Sequence, residues 1–198
     1  MADEQPYVQL QMIWPRGEVA DPFRVPLPMG YVLRTYRPGD EPAFFHLMHL
    51  AGFAGWDEQT LRPWKERILP EGWFFAVHDQ TGTLAATAMT THRANDEHPF
   101  GGELSWVAGH PEHAGKGLGR VVCAAVVRRY LAAGYRNIYL KTDDWRLPAI
   151  KSYLRLGFVP LLFTPAMVNR WETICTQLNW TYTPDDWPVS RDFHMIKE

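Results

Sequence analysis

From Glu103 to Arg120 the chain reads Glu-Leu-Ser-Trp-Val-Ala-Gly-His-Pro-Glu-His-Ala-Gly-Lys-Gly-Leu-Gly-Arg, a strand-like run leading into glycines at 115, 117 and 119. The chemistry these residues offer is anion binding. Glycines at alternate positions let the backbone bend tightly and turn several amide donors outward. Those amides open an amphipathic helix, whose N-terminal end carries the positive part of the macrodipole. Lys116 and Arg120 bring two full positive charges to the same segment. Spacing narrows the anion. A nucleotide P-loop needs four residues between its glycines and a Ser or Thr after the lysine. Here five residues separate Gly109 from Gly115, and Gly117 follows Lys116. The dinucleotide pattern GxGxxG fails because Val122 stands where its last glycine belongs. Two readings remain, the pyrophosphate of another cofactor and a helix start whose glycines hold no ligand.

A second segment decides between them. Ala114-Gly-Lys-Gly-Leu-Gly119, preceded by His-Pro-Glu-His, resembles the coenzyme A pyrophosphate loop of the GNAT superfamily of N-acyltransferases. Ala149-Ile-Lys-Ser-Tyr-Leu-Arg-Leu-Gly-Phe158 resembles that family's second signature, about 30 residues further on and in the same order. The resemblance covers residues 31 to 163, the expected acetyltransferase domain. It departs at Ala114, where the family usually has Gln or Arg, and at Arg146, where it often has Asn.

The resemblance implies roles. An amine attacks a thioester only when neutral, so a proton must be removed. Glu103 holds the position of the catalytic glutamate in well-studied relatives, and Leu104 and Trp106 beside it are expected to raise its pKa by desolvation. Asp96, Glu97, Asp143 and Asp144 are the reserve bases, and a water chain is the other route. The Val107 N–H is the expected oxyanion donor. Val107, Ala108 and Gly109 are expected to pair with the pantetheine arm as an added strand would. Ala114, Gly115, Lys116, Gly117, Leu118, Gly119 and Arg120 form the expected cofactor loop. Tyr153, five residues before Phe158, is the expected acid for the leaving thiolate, its phenol being protonated at neutral pH with an ordinary pKa of ~10.

The elements that must carry these residues follow from periodicity and punctuation. Strands are expected at 7–14, 31–36, 73–78, 84–91, 103–109, 137–142 and 157–163, with a last one at 193–196. Helices are expected at about 38–51, 58–69, 118–133, 148–156 and 165–179. Asp79-Gln-Thr-Gly82 should close a hairpin, and the crossover through the glycine-loop helix should make 103–109 and 137–142 parallel neighbours. The expected fold is a mixed α/β domain with a central, mostly antiparallel sheet, a splayed parallel pair and flanking helices. Residues 1–30, rich in Pro and Gly, are expected to form an N-terminal extension with a strand, and 164–198 a C-terminal helix and tail on the same domain.

Composition bounds the rest. The 198 residues suffice for one substantial core, and 20 basic against 22 acidic residues give no general attraction for nucleic acid or membranes. Cys123 and Cys175 suggest neither a disulfide framework nor a metal knuckle, so a reducing, cytoplasmic setting is expected. No apolar run approaches a membrane span, and the first residues do not resemble a signal peptide. His110, Glu112 and His113 lie on a loop with no further ligands nearby, so no metal is expected.

The expected function is acetyl-CoA-dependent N-acetyl transfer to a small-molecule amine or a peptide amino terminus. A noncatalytic acyl-CoA-binding regulatory module and an O-acyltransferase are the alternatives. On the acceptor side Trp56 and Trp64 are candidate pocket walls, and Asp96 and Glu97 hint at a cationic acceptor. The N-terminal strand and the helix bearing Trp171 are candidates for a homodimer interface.

Overall fold

Asp79-Gln-Thr-Gly82 folds back as a turn, with Gly82 at φ 72° and its N–H donating to the His78 carbonyl at 2.9 Å. From this hairpin outward a computed structural model describes residues 7–15 and 25–190. The strand expected at 193–196 lies outside the described residues. The strands are β1 (Leu10–Ile13), β2 (Tyr31–Thr35), β3 (Ile68–His78), β4 (Leu84–His92), β5 (Gly102–Gly109), β6 (Ile138–Thr142) and β7 (Val159–Pro160). The helices are α1 (Glu41–Leu50), α2 (Glu58–Lys65), α3 (Leu118–Ala132), α4 (Leu147–Leu156) and α5 (Ala166–Leu178).

The seven strands form one sheet in the order β2-β3-β4-β5-β6-β1-β7. Every pairing is antiparallel except β5 with β6, the parallel pair expected from the crossover. Period-two alternation divides the core between the two faces. Ala76, Ala86, Ala88, Leu104 and Leu140 pack with α3, α4 and α5, whereas Phe75 and Met89 pack with α1 and α2. Small residues on the first face let α3 lie close, and the helix buries Val122, Ala124, Val126 and Val127 completely.

Three expectations are corrected. The second helix ends at Lys65 and β3 begins at Ile68, where a helix to residue 69 was expected. Pro63 removes a helical donor, and Ile68 and Leu69 face different apolar clusters, a strand's alternation. The strand expected over 157–163 shrinks to Val159–Pro160, because Pro160 has no N–H to extend the ladder. The strand of the first 30 residues is no arm. β1 lies inside the sheet between β6 and β7, with Leu10 opposite Thr142 and Met12 opposite both Leu140 and Pro160. Trp171 is likewise fully buried, beside Trp187 at 6.1 Å. Both elements read as dimer surfaces are therefore used within the protomer.

Leu10 and Met12 are each 0% exposed, so truncating either removes core contacts. Leu10→Ala and Met12→Ala should each cost about 2–5 kcal/mol in urea unfolding, where a free arm would lose almost nothing.

Candidate active site

The site begins where two strands part. β5 and β6 pair only at Gly102↔Ile138 and Glu103↔Tyr139, so beyond Glu103 the facing edge of β5 has no strand partner. On its other edge β5 carries a bulge, in which Ser105 and Ala108 pair with Met89 and Thr87 and two residues oppose one. Trp106, within that bulge, has φ 53°, an uncommon conformation for an aromatic residue. Its indole is held by Phe53, Trp56 and Trp64, with ring centroids at 5.6, 4.6 and 5.0 Å, all edge-to-face.

The parted strands open a cleft of about 300 Å³. Glu103, Val107 and Tyr153 all line it, as do Trp64, Arg93, Lys141 and Arg146. Glu103 is 6% exposed, and its Oε2 accepts from Arg93 at 3.0 Å and lies 3.4 Å from the Tyr139 hydroxyl. Leu104 packs in the cluster under α3 and also lines the cleft beside Glu103. The main chain at Glu103 is clamped from behind, where the Tyr130 hydroxyl of α3 donates to its carbonyl at 2.8 Å. Gly102 makes that approach feasible, since a Cβ there would strike the Tyr130 ring.

Tyr153 is 5% exposed, and its hydroxyl has no hydrogen-bond partner among the described residues. Burial pushes its phenol well above the ordinary value, and the nearby Cys123 adds to the rise. The group stays a proton donor throughout the neutral and mildly alkaline range.

The glycine loop lies at the far end of β5, after a 3-10 turn over Pro111–His113. Gly115 and Gly117 both have φ 78°, and Gly117 caps α3. Among the described residues, no protein acceptor meets the amides of residues 115–119. A Cβ built at Gly109, Gly115, Gly117 or Gly119 would meet nothing within 4 Å, so the cradle is open above its donors. Arg120 Nε is buried and unpartnered beside it. Leu118 anchors the loop in the core, and Ala108 is buried against the α1 side. Ala114 is exposed.

Lys116 does not reach freely over this cradle. Its ammonium donates to the Tyr31 hydroxyl at 2.8 Å, and that hydroxyl lies 2.6 Å from His113 Nδ1. An ammonium only donates, so the Tyr31 oxygen accepts from Lys116, while the direction of its bond with His113 follows the His113 tautomer. Burial, with Lys116, His110 and His78 nearby, lowers the His113 pKa.

The acceptor-side candidates separate. Trp64 lines the cleft, whereas Trp56 stands one layer back against Phe44 and Trp106. Asp96 is exposed, and Glu97 accepts from Gln11 at 2.7 Å, so neither carboxylate lines the cleft. Of the reserve bases Asp143 lines it, bonded by Gln9 and Arg146, while Asp144 pairs with Arg170. Sequence reasoning missed Arg93, Tyr139, Lys141 and Gln9. Period two along β6 puts Tyr139 and Lys141 on one face and was available as a signal, but Gln9 depends on where β1 inserts.

These features coincide with a known pattern. Residues 41–158 match the model of the acetyltransferase (GNAT) family. A mycothiol acetyltransferase from Streptomyces bingchenggensis is 34% identical over 140 residues, 67% of this chain and 44% of that protein. One from Thermobispora bispora is 32% identical over 72% of this chain and 52% of its own length. The chain thus spans about half the length of these relatives. A GCN5-related N-acetyltransferase from Sphaerobacter thermophilus superposes with a TM-score of 0.58 at 22% identity, covering 77% of this chain and 47% of that one. The ribosomal-protein-S18-alanine N-acetyltransferase from Escherichia coli gives 0.53 at 25% identity, covering 65% and 77%. With its open amide cradle, its splayed strands and a family match over most of its length, the chain belongs to the GNAT acetyltransferase family.

Proposed function

We propose that this chain transfers an acetyl group from acetyl-CoA to a primary amine, on a small molecule or an amino terminus, by direct attack on the thioester. The observation that carries the reading is that Glu103, Val107 and Tyr153 line one cleft at the parting of β5 and β6. The family uses acetyl-CoA, and the residues present fit it. The unpaired amides of 115–119, the open space over the glycines and the orphaned Arg120 Nε suit a pyrophosphate. The unpaired edge of β5 at Val107, Ala108 and Gly109 suits the amides of a pantetheine arm. Bound acetyl-CoA would supply an electrophilic carbonyl and a thiolate leaving group. Glu103 takes the proton of the attacking amine, directly or through water. The Val107 N–H donates to the carbonyl oxygen as negative charge develops there. Tyr153 gives its proton to the departing sulfur, and its raised pKa keeps that proton available. The relatives named for a small molecule and for a protein alanine support both halves of the acceptor class. The buried, unpaired thiols Cys123 and Cys175 suit a reducing, cytoplasmic setting.

Thiol release from acetyl-CoA over a panel of amines tests the reading; stabilisation by acetyl-CoA with no release on any amine would favour a noncatalytic binding module. Tyr153→Phe removes a hydroxyl with no partner among the described residues, so stability should be nearly kept while turnover falls about ten- to a thousandfold. Unchanged turnover would remove Tyr153 from the mechanism. Because the folded-state pKa of Tyr153 is raised, the acid is not lost as pH rises toward 10. The wild-type rate should climb with amine deprotonation and show no alkaline decline below about pH 10 in a pH–rate profile. Gly117→Val forces a β-branched residue to φ 78° and fills the cradle, so acetyl-CoA affinity should drop about tenfold or more by calorimetry.

A further inference from the structure

We infer that the amine acceptor carries a carboxylate, and that Lys141 receives it. The inference rests on the acetyl-transfer reading for the acceptor's amine and on the cleft's own charges for its carboxylate. Five charged side chains line the cleft, namely Arg93, Glu103, Lys141, Asp143 and Arg146. Four of them are matched. Arg93 pairs with Glu103 at 3.0 Å, and Arg146 with Asp143 at 3.1 Å, where Gln9 occupies the second carboxylate oxygen at 2.9 Å. Lys141 has no hydrogen bond or ion pair with any described residue. The side chain of its cross-strand neighbour Gln11 is turned to other partners, its Oε1 accepting from His98 Nε2 at 2.7 Å and its amide donating to Glu97 at 2.7 Å.

Lys141 is half-buried as a residue, and its ammonium, with no protein acceptor among the described residues, is available to a ligand anion. That anion is not the cofactor's phosphate, because residues 114–120, whose amides form the cradle, do not line this cleft. The pantetheine arm is uncharged along its length, which leaves the acceptor as the source of the negative charge. Trp64, Phe53 and Trp106 supply an aromatic part of the wall, beside polar Gln9, Ser105 and Thr142, so the acceptor has room for an apolar group next to its polar ones. The chemical class is an amino acid, or a short amine-bearing acid, with an apolar side group.

The test pairs each acceptor with its neutral counterpart. Phenylalanine, leucine and alanine are compared with their amides in thiol release, for wild type, Lys141→Met and Lys141→Arg. Wild type should prefer the acid by about tenfold to a hundredfold in kcat/KM, mostly through KM. K141M should bring the acid-to-amide ratio near one, and K141R should restore part of it. A second readout needs no chemistry: thermal stabilisation of the CoA-loaded protein by N-acetylphenylalanine against N-acetylphenylalaninamide. Acid-selective stabilisation that K141M abolishes supports the carboxylate site even if no amine is turned over, an outcome that would count against the transfer reading alone. No preference for the acid in either assay, or an equal loss on acid and amide in K141M, overturns it.

Discussion

The protein depends on a sheet that is deliberately left unpaired along one internal edge. A central strand normally satisfies its backbone on both sides, because an orphaned buried amide costs as much as a lost hydrogen bond. Here the parallel pairing of β5 with β6 stops after Glu103↔Tyr139, and the edge beyond opens into a cleft. The gap persists because each strand is held elsewhere. β5 is tied to β4 over most of its length and clamped at Glu103 by Tyr130, while β6 is tied along its far side to β1. The unpaired edge and the candidate cleft are therefore the same feature seen as backbone and as pocket.

The bulge in β5 is offset by aromatic packing. Trp106 at φ 53° bears a conformational cost on the order of 1–2 kcal/mol. Three edge-to-face contacts with Phe53, Trp56 and Trp64, each worth about 0.5–1.5 kcal/mol beyond burial, are enough to hold it. Phe53 and Trp64 also line the cleft, with Trp56 one layer behind, and Arg93 lies over Trp64 at 5.5 Å on its way to Glu103. Aromatic residues around Trp106 thus serve backbone geometry, cleft shape and the carboxylate's partner together.

Local chemistry made the donor half of the site legible. The glycines at 115 and 117 do adopt positive φ, and Tyr153 and Glu103 do line one cleft, because each depends on short-range spacing within one crossover unit. Lys116 shows the limit of that logic. Its charge was legible, but its contact with Tyr31, 85 positions away in sequence, is set by tertiary packing. Arg93, Lys141 and Gln9 were missed for the same reason. Glu97 looked like an acceptor contact but is held by Gln11, on a strand whose insertion no local pattern records.

That insertion ties the site to the start of the chain. β1 lies between β6 and β7 while β2 stands at the opposite edge of the sheet, so the pairings of β1 are long-range contacts whose closure costs entropy. It also brings two glutamines to the face that carries Glu103. Gln9 fixes Asp143, which orients Arg146, and Gln11 fixes His98, whose ring stacks on Tyr139 at 3.8 Å with an interplanar angle of 8°. Tyr139 in turn donates to the Arg93 carbonyl at 2.8 Å, beside the Arg93–Glu103 pair. A chain of polar contacts runs from β1 to Glu103, the proposed base, in a wall where each unpaired buried group would cost free energy. The strand that completes the sheet is for this reason also a strand that sets which charges in the cleft are satisfied.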